Sequence, residues 1–259
     1  MPPVGRKLAS SKPVFTRCEL LTLLLVLCTG CAGARASGDQ VCALEGEFAR
    51  GAGVGELFSL ALQPNGRFSY SLDSDVGPIE EASGTMELVG GEVRFTAGAK
   101  AELELGEKSP LLGWWVLVPW DRRCYLVEAA ELLRFANYVN GGDEPRRSAT
   151  GEFLIRRGDW RRSARGLPTL PPPWSQYLLR KPLRGIVTRV LEEEEAEVDI
   201  GDAEGLKPGM LLFVQGPDGW FSVVARNVTR ASSVVVVTSA WKELLLVGQP
   251  VTSRIGNMQ

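Results

Sequence analysis

Apolar and polar residues alternate along most of the chain from residue 41 to residue 160, in short runs separated by turn residues. A period of two is typical of a β-strand with one buried face, and Pro64-Asn65-Gly66 between two such runs predicts a β-hairpin. The alternating apolar positions are Phe58, Leu60, Leu62, Phe68, Tyr70, Leu72, Met86, Leu88, Val93, Phe95, Ala101, Leu103, Leu105, Trp115, Leu117, Phe153 and Ile155. Eight or nine short consecutive strands leave open edges unless the sheet closes, so the pattern predicts an up-and-down β-barrel.

One segment of this region departs from the period of two. Between residues 128 and 140 the apolar residues recur at helical spacing, and Gly141-Gly142 follows them as at a helix C-terminus. We therefore expect one helix, residues 128–140, packed on the first barrel.

The composition changes between residues 161 and 182, where Arg, Pro and Trp concentrate. Pro171-Pro172-Pro173 predicts a stiff linker in extended polyproline geometry. Short Val-rich runs resume from residue 183 to residue 256 and predict a second small β-barrel, in which the run Val234–Val237 predicts a strand buried on both faces. The expected fold is mainly β, with two small antiparallel β-barrels joined by a Pro-rich linker.

Residues 1–30 have the pattern of an export signal. Basic residues precede an apolar run from Leu20 to Cys28, which has the length of a signal-peptide core and is shorter than a membrane span. The sequence Leu27-Cys28-Thr29-Gly30-Cys31 resembles a bacterial lipobox, although Cys28 stands where leucine is usual. The resemblance implies cleavage before Cys31 and lipid attachment at Cys31. The small and polar residues that follow predict a tether over residues 31–40.

A second cleavage site competes with the lipobox. Ala34-Arg35-Ala36 is an A-x-A site that would release a soluble protein beginning at Ser37. In lipoproteins of enteric bacteria an aspartate after the lipidated cysteine often signals inner-membrane retention, so Ala32 favours the outer membrane, facing the periplasm. The alternatives are a soluble periplasmic or secreted protein and, third, a plain transmembrane anchor.

Two of the five cysteines, Cys42 and Cys124, lie beyond the signal and the lipobox. In an oxidising compartment such a pair predicts a disulfide. Two unpaired buried thiols are the alternative.

Two stretches resemble known families. Leu44–Gly46, Leu60–Phe68 and Gly84–Leu88 resemble small lipocalin-like barrels of bacterial envelope proteins, which implies a fold and no particular ligand. Gly185–Val190 and the later motifs resemble the SH3-like barrel that closes a flagellar-ring accessory protein and recurs in cell-envelope scaffolds. These later motifs are Val198–Gly201, Glu204–Met210 and Val247–Val251. The second resemblance implies an interaction or assembly module without a catalytic group.

Charge and composition exclude several classes of function. Lys and Arg total 29 against 31 Asp and Glu, for a net charge of −2, so no positive field favours nucleic acid. The chain has no histidine, which removes Ser-His-Asp and Cys-His catalysis and His-ligated zinc. Since phosphate-binding and dinucleotide motifs are also missing from the sequence, we expect no enzyme activity, metal or cofactor. Glu102 and Glu104 share one strand face. A solvent-exposed face explains this spacing better than the paired catalytic carboxylates of a hydrolase.

Seven arginines concentrate near the junction of the two predicted barrels and are candidates for contact with an anionic surface. They are Arg146, Arg147, Arg156, Arg157, Arg161, Arg162 and Arg165. Lipid phosphate and peptidoglycan carboxylates suit arginine forks. A solvated strand edge that discourages edge pairing is the alternative.

Two functions remain after these exclusions. The first is a cell-envelope lipoprotein that acts as a binding or assembly module, with a membrane anchor and an envelope protein partner. The second is a carrier that holds a small apolar ligand inside the first barrel. The packing of the interior discriminates between them, because large aromatic side chains there would leave no room for cargo.

Overall fold

The computed structural model describes residues 42–53, 56–98, 113–143, 145, 153–192, 194–238 and 244–255. Within these ranges the strands form two closed antiparallel barrels, one of eight strands and one of six, in a single compact unit. The predicted mainly β fold with two small antiparallel barrels is confirmed. The expected strand at Ala101–Leu105, with Glu102 and Glu104, lies outside the described residues.

The first barrel is an up-and-down meander in which β1 pairs with β8 to close the sheet. Its strands are β1 (Gly46–Gly53), β2 (Glu56–Leu62), β3 (Arg67–Ser74), β4 (Gly77–Val89), β5 (Glu92–Ala97), β6 (Trp114–Trp120), β7 (Arg123–Glu128) and β8 (Leu154–Arg156). The predicted hairpin is present, with Leu62 opposite Phe68 across the turn and Gly66 at a φ of 74°.

Aromatic rings fill the interior of this barrel. Phe58 and Tyr70 have ring centroids 4.6 Å apart, and Phe95 contacts Phe68 at 5.1 Å and Trp115 at 6.3 Å. Four of these five side chains are at most 3% exposed, and the fifth, Phe95, is partly buried. The alternation of β2, β3 and β6 produces this core because every second side chain points inward.

The predicted helix is present and covers the outside of the first barrel. A 3-10 turn (Ala129–Glu131) leads into α1 (Leu132–Gly141). Gly142, at a φ of 90°, ends α1, because the N–H groups of Gly142 and Asp143 donate to the carbonyls of Val139 and Tyr138. Phe135 packs with Val118, Tyr125 and Ile155, so β7 is buried on both faces.

The segment between the barrels packs on both of them. Residues Trp174–Tyr177 form a 3-10 helix, so the prediction of extended polyproline geometry is wrong there. The reason is hydrophobic contact: Tyr177 packs against the cores of both barrels, and the flanking Leu170 and Leu179 are buried in the first and the second core. Local proline content does not reveal these contacts.

The second barrel closes through the pairing of β9 with β10 and of β9 with β14. Its strands are β9 (Arg184–Glu192), β10 (Glu195–Val198), β11 (Leu211–Gly216), β12 (Gly219–Arg226), β13 (Ser233–Val237) and β14 (Pro250–Thr252). In β13 only Ser233 and Val235 are fully buried. The prediction that this strand is buried on both faces is wrong, because Val234 and Val236 on its outer face remain partly exposed.

Candidate functional site

The two ends of the first barrel differ in what they carry. Antiparallel pairing places the turns Asn65–Gly66, Gly90–Gly91 and Asp121–Arg122 at one end, together with the start of β1. We call it the Cys42 end. The turn at Asp75–Val76 lies at the opposite end, called the Val76 end.

A disulfide fixes the chain at the Cys42 end. Cys42 is bonded to Cys124, the second residue of β7, with a Cα–Cα distance of 5.6 Å, so the predicted bridge is present. The backbone N–H of Cys124 donates to the buried carboxylate of Asp159 at 3.0 Å. Cys31, the predicted lipid attachment site, lies outside the described residues.

The structure divides the predicted arginine cluster into residues with different roles. Arg146 and Arg147 lie outside the described residues. Arg156 donates to the carbonyl of Ala43 and lies 5.6 Å from the centroid of the Phe48 ring, so it braces the chain before β1. This contact is internal to the first barrel.

Arg157 forms an ion pair with Glu47 at 2.7 Å. The hydrogen bond from Arg157 to this carboxylate, followed by the attraction of its charge, raises the pKa of the guanidinium. The pair is exposed to solvent, so it contributes little to stability.

The other three arginines lie on the loop that follows Asp159. Arg162 contacts Asp159 at 3.1 Å and donates to the carbonyl of Arg122 at 3.1 Å, which joins the loop to the β6–β7 turn. Arg161 and Arg165 are exposed. Arg157, Arg161, Arg162 and Arg165 are thus brought together at the Cys42 end.

A buried cation holds this loop in place. Arg123 is only 2% exposed, and its Nε donates to the carbonyl of Arg162 at 2.6 Å. Its Nη1 donates to the hydroxyl of Tyr125 at 3.2 Å, and that hydroxyl donates to the carbonyl of Pro145 at 2.6 Å. The sequence shows Arg123 as one more arginine beside the predicted cluster, and only the fold distinguishes its structural role.

The three tryptophans of β6 have separate roles. Trp114 is 37% exposed with the Arg94 guanidinium stacked 3.2 Å from its ring centroid. Trp120 is buried, and its Nε1 donates to the carbonyl of Gly166 at 3.0 Å. Trp115 points into the barrel, and its buried Nε1 has no hydrogen-bond acceptor within the described part of the chain.

Two charged side chains lie near Trp115 toward the Val76 end. Glu128 is opposite Trp115 across β6 and β7, and the guanidinium of Arg50 lies 4.9 Å from the centroid of the Phe58 ring. Burial raises the pKa of Glu128, the charge of Glu131 raises it further, and Arg50 partly offsets both. The sequence gives no signal for this group, because its members are far apart in the chain.

Two asparagines of α1 join the first barrel to the second. Asn137 donates from Nδ2 to the carbonyl of Gly209 at 3.1 Å and accepts from the N–H of Leu211 at 3.0 Å. Its side-chain amide therefore pairs with the start of β11 as a strand backbone would. Gly209 has a φ of 85°, a left-handed conformation that favours glycine, and it lies against the Leu133 side chain.

Asn140 makes a second pair of hydrogen bonds of this kind and is only 2% exposed. We call the paired hydrogen bonds of Asn137 and of Asn140 the two clamps. Its Nδ2 donates to the carbonyl of Tyr177 at 2.8 Å, and its Oδ1 accepts from the N–H of Leu179 at 2.9 Å. Arg254, just after β14, donates to the carbonyls of Asn140 and Val139 at the C-terminus of α1. Sequence reasoning missed these residues, and their only signal was two amides among the apolar positions of the helix.

The second barrel carries an open cavity of about 730 Å³ beside the 3-10 turn Asp202–Glu204. Its lining includes Leu206, Pro208, Val228 and Arg230, and Lys207 forms an ion pair with Asp202 at its edge. Among the described residues, no three or more Cys, Asp or Glu side chains are grouped to bind a metal ion.

Comparison with known proteins gives no relative: no family model, curated protein or solved structure matches this chain. No helix in the described part of the chain is both long and apolar enough to span a membrane.

Proposed function

We propose that this chain is an exported lipoprotein of the bacterial envelope, anchored through Cys31, that acts as a non-enzymatic binding or assembly module. The observation that carries the proposal is the disulfide between Cys42 and Cys124. Structural disulfides form and persist in oxidising compartments and are rare in the cytosol, so the bridge supports the export signal read from residues 1–30.

The clamps at Asn137 and Asn140 support the role in assembly. Asn137 pairs with the start of β11, and Asn140 pairs with the segment that leads into the second barrel, so the second barrel is held on a fixed support. Its resemblance to the closing barrel of a flagellar-ring accessory protein makes it the module that would contact an envelope protein partner. A rigid presentation of that surface lowers the entropic cost of docking.

The test is intact mass and membrane fractionation of the wild-type protein and Cys31→Ala, both expressed in a bacterial host. We expect the wild type alone to gain the mass of acyl chains and to sediment with membranes, because stable anchoring needs more than one chain. A Cys31→Ala protein that begins at Ser37 and matches a soluble wild type in mass and fractionation would refute the anchor.

Carriage of a small ligand in the first barrel is the second candidate, and Trp115 is the observation that favours it. Its indole N–H is buried and, among the residues that the structure describes, has no acceptor, so a ligand oxygen would satisfy it. The aromatic contacts of Phe58, Phe68 and Phe95 oppose it, because they occupy the same interior. Solvent extraction of the purified protein followed by mass spectrometry tests this candidate. A small molecule recovered in stoichiometric amount supports it, and the absence of any such molecule refutes it.

A further inference from the structure

The chain enters the first barrel, ahead of β1, at a defined place. Cys42 is bonded to Cys124 on β7, and Arg156 donates to the carbonyl of Ala43, so the segment before β1 is held at the Cys42 end. Between Cys31 and Cys42 the extended chain reaches at most about 40 Å. A lipid on Cys31 would therefore hold the Cys42 end within about 40 Å of the bilayer.

The surface at this end suits a bilayer in two respects. Leu88, at the end of β4, is 60% exposed, and its neighbour Val89 is 44% exposed, so the β4–β5 turn presents apolar side chains to solvent. Apolar side chains beside cations are typical of surfaces that contact lipid headgroups and the upper acyl chains.

The cations are the arginines of the neighbouring loop and turn. Arg122, Arg161 and Arg165 are exposed, whereas the carboxylate of Asp159 is buried and bonded to the N–H of Cys124. The exposed acids nearby are Glu45, Glu87 and Asp121, and Asp121 accepts a hydrogen bond from the N–H of Arg165 at 3.2 Å. The loop therefore presents guanidinium groups that can reach lipid phosphates.

We propose that the Cys42 end of the first barrel is a membrane-facing surface, in which Leu88 and Val89 contact the lipid and Arg122, Arg161 and Arg165 contact its phosphates. The partner is the bilayer that holds the acyl chains of Cys31, so the inference rests on the proposed function. It adds an orientation: the Val76 end points away from the membrane.

The two ends of β4 provide a matched pair of positions for the test. Val76 is 97% exposed at the turn before β4, and Leu88 is the twelfth residue of that strand, so the two positions are about 40 Å apart along the strand at 3.3 Å per residue. Both are exposed aliphatic residues at turns, so cysteine is tolerated equally at either. With Cys31 acylated and the Cys42–Cys124 bridge intact, the introduced cysteine is the only free thiol in the mature chain.

Leu88→Cys and Val76→Cys are labelled with an environment-sensitive fluorophore in the acylated protein. The labelled proteins are reconstituted into vesicles of phosphatidylethanolamine and phosphatidylglycerol, with and without nitroxide-labelled lipid. We expect a blue-shifted emission and at least twofold quenching for the label at position 88, and neither for the label at position 76. Equal quenching at both positions, or stronger quenching at position 76, overturns the orientation.

Charge reversal tests the role of the arginines. Arg161→Glu with Arg165→Glu, placed in the Leu88→Cys protein, is expected to reduce the quenching at position 88. Unchanged quenching overturns the phosphate contact. The intact mass separates this inference from the proposed function: a protein without acyl mass refutes both, whereas an acylated protein with equal quenching at the two positions refutes the orientation alone.

Discussion

Replacing Asn140 by alanine tests whether the helix clamp stabilises the protein as its geometry indicates. The substitution removes the partner of the Leu179 N–H and the partner of the Tyr177 carbonyl, at a position only 2% exposed. An unsatisfied buried backbone group costs about 1–3 kcal/mol; because the Leu179 N–H bond is buried and the Tyr177 carbonyl bond is partly buried, we expect a total loss of about 2–5 kcal/mol in the free energy of unfolding. Asn140→Ala should therefore unfold at a clearly lower urea concentration.

The control lies on the same helix. Arg134 is 53% exposed and pairs with Glu131 at 3.4 Å, so Arg134→Ala should change stability by less than about 0.5 kcal/mol. Urea unfolding followed by tryptophan fluorescence and by circular dichroism measures both variants. If the midpoint of Asn140→Ala coincided with that of Arg134→Ala, the reasoning from buried hydrogen bonds would be refuted.

Two further predictions concern the bridge and a carboxylate. The disulfide closes a loop with a sequence separation of 82, so replacing Cys42 and Cys124 together by serine should lower the free energy of unfolding, measured in guanidinium, by about 4 kcal/mol. A reductant should destabilise the wild type and leave the double variant unchanged. Equal stability of the two proteins would contradict this. Burial raises the pKa of Glu128, so the folded protein binds this proton more tightly than the unfolded chain does. The protonated carboxyl therefore favours the folded state at low pH, and this contribution to stability is lost as the pH rises through the folded-state pKa. Glu128→Gln should therefore raise the Tm at pH 7, and the gain should vanish below about pH 4; a lower Tm at pH 7 would count against it.

The sequence by itself determined the parts of this protein that depend on neighbours in the chain. Alternation from Phe58 to Leu72 around the Asn65–Gly66 turn predicted a hairpin, because strand period and turn geometry are local properties. The helix and its end at Gly142 followed from helical spacing and from the backbone freedom of glycine.

Only the tertiary structure decided what depends on pairing between distant segments. β1 (Gly46–Gly53) is rich in glycine and lacks a regular apolar pattern, and it is a strand because β2 and β8 supply partners on both sides. The arginine cluster was visible as composition, but the assignment of Arg156 to an internal contact required the position of Phe48. Asn137 and Asn140 became clamps because backbone groups of the second barrel and of the segment leading into it require partners, and a sequence does not state which distant groups will meet.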